Sequence, residues 1–395
     1  MRLVSGLLTL AALPVFAATG YLFVLTVRSG EGKVPPSGKP TTRFNVVVPA
    51  HDEAAGIAST VGSLLAVDYP RSLFEVTVVA DNCTDDTAER ARRAGATVLE
   101  RTDAVLRGKG YALAHAFEKI VTEGKADAVV VIDADTVVSP NLLRAFDARL
   151  AAGAVAAQAD YAVRNVDDGW RTRLMAIAFG MFHVVRSRGR ESFGVSCGLR
   201  GNGMCFTTSL LREVPHDAFS IVEDLEYGIR LGERGHRVHY AGEAHVYGDM
   251  VAGEKASRSQ RERWEGGRWQ MAKRHGLPLL RRAISERSPL LADLAMDVLV
   301  PPLSLLVAAT VAGTAASVAV SAASLRPTPA LSLFGASGVF LLAYAARGWQ
   351  LSGTGARGLA SLAHAPGYMV WKATLPLRRR ATATTEWVRT AREGD

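Results

Sequence analysis

Three stretches without a charged residue, 3–27, 298–325 and 327–346, constrain this chain more than any other feature. As a helix the first would be roughly 37 Å long, enough to cross a hydrocarbon core of ~30 Å. The second and third are separated only by Arg326, so they read as two spans joined by a tight hairpin. A signal peptide is the rival reading of the first stretch, with Arg2 as its basic start and Val15-Phe16-Ala17 as a cleavage site. Against it, the apolar run continues through Tyr21, Leu22, Phe23, Val24 and Leu25.

The flanks set an orientation. Arg28, Lys33, Lys39 and Arg43 follow the first span, and Arg347, Arg357, Arg378, Arg379 and Arg380 follow the last. Basic flanks stay in the cytoplasm, so the N-terminus and the Arg326 turn are expected outside an inner (cytoplasmic) membrane, with the segment between the spans inside. Residues 28–43, rich in Gly and Pro, read as a linker, 44–280 as a cytoplasmic domain, and 281–349 as two spans with an interfacial flank. Residues 350–395 combine Pro366, Lys372, Trp371 and a basic end, the composition of an amphipathic interfacial segment.

Composition limits what the middle segment can be. Over the whole chain, 48% hydrophobic and 21% charged residues are enough to bury a core and exclude a disordered chain. Cys83, Cys197 and Cys205 show no CxxC spacing, so neither a disulfide framework nor a zinc cluster is indicated. The net charge of +8 does not point to nucleic acid, because the basic residues gather beside the spans and not among base-stacking aromatics.

From residue 44 onward FNVVVP, FEVTVVA, ATVL and AVVVID read as strands, and residues 53–65, 84–93, 109–123 and 141–151 as helices. Nearly continuous valine runs imply strands covered on both faces, and strand–helix alternation implies a parallel sheet. Further on, RVHY and AHVYG read as two short strands whose histidines His236, His239 and His245 carry no metal signature. Met175, Met181 and Phe182 read as core or membrane-facing helix positions.

Ligands gather at the carboxyl ends of parallel strands, and there the chain is acidic: His51-Asp52-Glu53 after the first strand, Asp81 to Asp86 after the second, Asp133-Ala134-Asp135 after the fourth. So much like charge repels itself unless a cation or basic ligand is present. In an extended segment Asp133 and Asp135 would point to one side, and hard carboxylate oxygens suit Mg²⁺ or Mn²⁺. A solvated turn is the plain alternative. Lys109, between glycines at a helix start, is placed to meet a phosphate or simply to be solvated.

Residues 221–232 read as a helix with Val222, Leu225 and Ile229 toward the core and Glu223 and Asp224 on other faces of its first turn. Those carboxylates either complement the helix dipole or, beside apolar surface, have a raised pKa and act as a base. Gln260 and Arg263 share a helix face, with Trp264 adjacent. Arginine binds oxyanions in a fork; a lipid-facing basic helix is the alternative.

In chain order VVVPAHDE, VVADNCTDDT, RGKG, VVIDADT, GNGM, VEDLE and QRERW, spread over residues 46–264, resemble the membrane-bound branch of glycosyltransferase family 2. That branch includes cellulose, chitin and hyaluronan synthases and several lipid glycosyltransferases. The resemblance implies an α/β GT-A fold, a nucleotide-sugar-binding domain with a mainly parallel sheet, carried by about three transmembrane helices. It implies inverting transfer from a nucleotide-diphosphate sugar, most often UDP-linked, to a lipid-linked or saccharide acceptor at the cytoplasmic face. By the same resemblance Glu53 and Asp81 contact nucleobase and ribose, Lys109 and Asp133 hold the nucleotide, and Asp135 with Asp133 ligates Mg²⁺ or Mn²⁺. Asp224, beside Glu223, is then the general base, and Gln260, Arg263 and Trp264 bind diphosphate and border the acceptor channel. Membrane lipid and an export partner are the expected associates. The alternatives are a processive polysaccharide synthase and a nucleotide-sugar-binding scaffold that regulates a neighbouring synthase.

Overall fold

The computed structural model describes residues 2–250 and 254–367, with side chains described everywhere except residues 254–264. The strands are β1 (Phe44–Ala50), β2 (Phe74–Asp81), β3 (Thr97–Arg101), β4 (Ala128–Val131), β5 (Thr136–Val138), β6 (Ala156–Val163), β7 (Met204–Thr207) and β8 (His239–Gly248). They form an eight-stranded sheet in the order β3-β2-β1-β4-β7-β6-β8-β5. The half from β3 to β4 is parallel throughout. In the other half β7 runs antiparallel to both β4 and β6, and β5 antiparallel to β8.

The valine runs do what their two-sided burial requires. Every residue of β1 is buried, with Val46 and Val48 packed into one apolar cluster and Val47 into another on the opposite face. Alternation at period two delivers successive side chains to both layers, each valine contributing about 1.5–3 kcal/mol of burial.

The helices are α1 (Arg2–Val27), α2 (Ile57–Leu65), α3 (Thr87–Arg93), α4 (Lys109–Glu123), α5 (Leu142–Ala151), α6 (Trp170–Phe179), α7 (Arg186–Ser192), α8 (Thr208–Glu213), α9 (Glu223–Glu233), α10 (Glu254–Ser285), α11 (Pro289–Leu299), α12 (Leu303–Ser324), α13 (Pro329–Leu351) and α14 (Gly355–Ser361). Of the sheet-covering helices, α2 and α5 pack on the Val46 face, and α4, α8 and α9 on the Val47 face.

The segments RVHY and AHVYG are not two strands. They are joined in β8, whose pairing with β6 slips from Ala159↔Ala241 to Asp160↔His245. The extra residues bulge out at Gly242, where a Cβ would lie 2.4 Å from the Tyr240 ring, so the strand bends without ending.

Helices α1, α12 and α13 are long and apolar enough to cross a membrane. They pack together, with Phe23 and Phe340 stacked at 4.5 Å between α1 and α13. Leu325, left-handed at φ 53, closes the turn between α12 and α13. At the other end the Arg347 guanidinium donates to Ser29 Oγ at 3.1 Å and to the Ser29 carbonyl at 3.0 Å, so the C-terminal ends of α1 and α13 share one level.

Beneath this bundle α6, a π-helical turn over Gly180–Val185, and α7 run on as one helix. It meets the spans through glycines: a Cβ on Gly180 would lie 2.4 Å from the Gly348 carbonyl oxygen, and one on Gly189 would lie 2.7 Å from that of Leu25. Small residues let backbones approach this closely. Residues 368–395, which hold most of the expected C-terminal interfacial segment, lie outside the described residues.

Candidate active site

Because β1, β2 and β4 are parallel neighbours, their acidic carboxyl ends lie side by side. Just past β1 and β2 the chain turns through Asp52 (φ 54) and Asn82 (φ 51), both left-handed. Asp and Asn tolerate that conformation better than most residues. The two loops are clasped together: Asp52 accepts from the Thr84 backbone N–H at 2.6 Å and its hydroxyl at 3.1 Å, and Asp85 accepts from the Ala54 N–H at 3.1 Å.

Asp81 closes β2 and is 1% exposed. Its Oδ1 pairs with Arg101 at 2.6 Å, while Oδ2 has no hydrogen-bond partner among the described residues, and neither does the nearby Asn82 Nδ2. A buried carboxylate oxygen left unmatched is costly and fits a ligand N–H. His51 Nδ1 lies 2.8 Å from the Asp81 carbonyl oxygen, and the Glu53 backbone N–H donates to Thr87 Oγ1 at 2.8 Å.

The second part of the site centres on Lys109, the first residue of α4. Its ammonium donates to Asp133 Oδ1 at 2.6 Å and to the Gly201 carbonyl at 2.7 Å, and lies 3.6 Å from Glu223. Gly201, left-handed at φ 78, is held so close that a Cβ there would lie 3.5 Å from Asp224 Oδ2 and 3.7 Å from Lys109 Nζ. The structure thus brings Lys109, Asp133, Glu223 and Asp224 together from three segments: the start of α4, the turn after β4 and the first turn of α9.

Burial governs the charges. It pushes the Glu223 carboxyl up to about 7, against the pull of Lys109 and with the like charge of Asp224 adding to the rise. Asp224 is likewise raised by burial, opposed by the Leu225 N–H and by Lys109, Arg200 and Arg268. Burial also works against the Lys109 ammonium, but Asp133, Glu223 and Asp224 outweigh it and leave the pKa raised. Lys109 is therefore a fixed cation beside two carboxyls that burial raises, Glu223 to about 7.

One geometric expectation is corrected. Asp133 and Asp135 do not sit on an extended strand: β4 stops at Val131, and the Thr136 N–H closes a turn onto the Asp133 carbonyl at 3.2 Å. Asn202 imposes that turn. Fully buried, it accepts from the Asp133 N–H at 3.1 Å and donates to Thr136 Oγ1 at 2.8 Å, while Gln158 Nε2 donates to its carbonyl at 2.7 Å. From this turn Asp133 bonds to Lys109, and Asp135 lies within electrostatic reach of Arg164.

Gln260, Arg263 and Trp264 fall within α10, but their side chains lie outside the described residues. Among the described residues, a close grouping of three potential metal donors is Asp52, Cys83 and Asp85. It does not suit a hard cation: both carboxylates already accept loop N–H groups, and burial pushes the Cys83 thiol up to about 11. Asp133 and Asp135 offer the harder, all-oxygen set.

Sequence reasoning missed Asn202 as the residue that shapes the Asp133 turn, and it missed Arg200, Arg186 and Arg190. Asn202 and Arg200 sit in the LRGNGM string, where a polar pair among glycines was the available signal.

The model of the family described as glycosyltransferase like family 2 matches residues 40–267. The chain belongs to that family. This glycosyltransferase is 24% identical over 261 residues to the probable glycosyltransferase YdaM of Bacillus subtilis, a match covering 63% of the chain and 60% of YdaM. It is 28% identical over 272 residues to the beta-monoglucosyldiacylglycerol synthase of Synechocystis, covering 65% of the chain and 56% of that protein. The glycosyltransferase therefore spans less than two thirds of the length of these curated relatives. Among solved structures, the mannosyltransferase PcManGT of Pyrobaculum calidifontis, in complex with GDP-Man and Mn²⁺, superposes with a TM-score of 0.51 at 19% identity. That match covers 86% of this chain and 98% of the other, an agreement in fold.

Proposed function

We propose that this glycosyltransferase transfers a sugar, with inversion, from a nucleoside-diphosphate sugar to a lipid-linked or saccharide acceptor. In this reading residues 44–280 work on the cytoplasmic face of the inner membrane. The observation that carries the reading is the Lys109 cluster: a fixed cation placed between the Asp133 turn and the buried Glu223–Asp224 pair.

Asp81, with Glu53 nearby, receives the nucleobase end of the donor, and the unmatched Asp81 Oδ2 supports that role. Lys109 faces the diphosphate, where charge accumulates as the anomeric bond breaks. Asp133 and Asp135 would hold Mg²⁺ or Mn²⁺, which supplies further charge stabilisation to the diphosphate when bound. Asp224 takes the proton of the acceptor hydroxyl as its oxygen bonds to the anomeric carbon, and the electron pair of the old bond leaves with the diphosphate. Glu223 sets the charge beside Asp224. Gln260, Arg263 and Trp264 complete the diphosphate and acceptor side. A single displacement from the opposite ring face inverts the anomeric centre.

The test is turnover of a radiolabelled UDP-sugar panel by membranes carrying the full chain. Asp135→Asn and Asp224→Asn are each expected to lower transfer at least about 10²-fold, the scale of a lost general base or charge stabiliser. Undiminished turnover in both variants would sink the reading.

A further inference from the structure

Within electrostatic reach of Asp224, Arg200 and Arg268 belong to a group of four arginines around Asp293 and Asp297. Arg190 Nε donates to Asp293 at 2.7 Å, and its Nη1 lies 3.3 Å from Asp297. Arg186 Nη1 lies 3.2 Å from Asp297, and Arg268 donates to the Asp297 carbonyl at 2.8 Å. Arg200 donates to the Cys197 carbonyl at 3.0 Å. Neither Arg200 nor Arg268 has a carboxylate within salt-bridge distance among the described residues, and with Asp224, which acts on both, the group sets four arginines against three aspartates.

The placement is specific. The guanidinium carbons of Arg200 and Arg268 lie 4.4 and 5.0 Å from the centroid of the same ring, Phe182. Phe182 belongs to the π-helical turn pressed against α13, so the cluster lies between the Asp224 site and the spans. Two donors are unsatisfied there: Arg200 Nε and Arg190 Nη2 are buried with no hydrogen-bond partner, in side chains that are 9% and 0% exposed. Burial of unpaired guanidinium charge is expensive, and it pushes Arg268 down to about 10. A pure brace between domain and membrane would not need the surplus charge or the open donors.

We propose that Arg200 and Arg268, backed by Phe182, hold a phosphate-type anionic group carried by the sugar acceptor. This rests on the reading of Asp224 as the base that faces the acceptor. Gly201, which follows Arg200 in the chain, accepts from Lys109 at 2.7 Å, and Arg200 and Arg268 both act electrostatically on Asp224, so the anion sits beside the base. Guanidinium forks match phosphate oxygens in pairs. The group arrives either on a lipid or on a soluble sugar phosphate.

The experiment measures binding of radiolabelled farnesyl phosphate and farnesol to the full chain in phosphatidylcholine nanodiscs, with inorganic phosphate as competitor and no donor present. The phosphate ester is expected to bind about tenfold or more tighter than the alcohol, and Arg200→Gln with Arg268→Gln to abolish that difference. Full competition by inorganic phosphate supports a soluble source, and its absence supports a lipid. Equal binding of the two isoprenoids, or a difference that survives the substitutions, overturns the proposal. If the glutamine variants lose their thermal transition, Arg200→Lys and Arg268→Lys keep the charge but not the fork. Reduced discrimination is then expected, and unchanged discrimination overturns the proposal. Since no donor is used, failure here is separate from failure of UDP-sugar turnover.

Discussion

Glu223 and Asp224 are adjacent, buried and held by one lysine, so they take up protons as a pair. With Glu223 raised to about 7, a proton enters Glu223 near neutrality and removes the negative charge beside Asp224, which weakens Asp224 as a base. The acid limb of kcat/KM is therefore expected near pH 7. In Glu223→Gln one carboxylate remains, without a like charge beside it, and the limb moves to lower pH. A limb at or below pH 5 in both enzymes would contradict this. Stability follows with the opposite sign. A carboxyl whose folded pKa is raised costs nothing below its unfolded value and its full cost above the folded one, so Glu223→Gln gains melting temperature over the parent at pH 8 but not at pH 4. The acidic residues of this site were legible because charge at the end of a valine strand needs a partner. Asn202 and Arg200 were not, because both act through loop geometry that no spacing encodes.

At the level of elements, the continuous helix formed by α6, the π-helical turn and α7 joins the catalytic domain to the spans. Its contact with α13 is backbone against backbone: a side chain at Gly180 would meet the Gly348 carbonyl oxygen. Gly180→Leu is expected to destabilise by about 1–3 kcal/mol or more, since neither backbone can yield cheaply, and thermal unfolding in detergent measures it. Gly62→Ala, where a Cβ meets nothing within 4 Å, is the control with no loss. Strands β1 to β4 and helices α2 to α5 were legible from period and punctuation, which local sequence supplies. The antiparallel turn of β7 and the bulge in β8 were not, because each depends on partners far along the chain: β7 on β4 and β6, β8 on β6.

For the whole molecule, the bond from Arg347 to Ser29 puts the ends of α1 and α13 that carry basic flanks at one level. The Arg326 turn lies at the far end of the α12–α13 hairpin. On intact cells, a cysteine replacing Arg326 is expected to react with a membrane-impermeant maleimide, whereas one replacing the exposed Lys125 is expected to react only after lysis. Cys197 and Cys205 are buried and the Cys83 thiol is pushed up to about 11, so the native background is low. Reaction at Lys125→Cys before lysis would reverse the proposed orientation. Spans and flanks were readable because a bilayer demands uninterrupted apolar length. Which helices touch was not.

The first span is fastened by its neighbours more than by its tether. Phe16 and Phe23 lie against Phe340, Tyr21 donates to Asp293 at 2.8 Å, and Leu25 receives Gly189, while residues 30–42 form no helix or strand. Covalent continuity across that stretch is therefore expected to be dispensable for docking, which co-purification of the two fragments after cleavage would show. A protease nick there is expected to leave two fragments that stay together, and two separately translated pieces divided at that point are expected to associate.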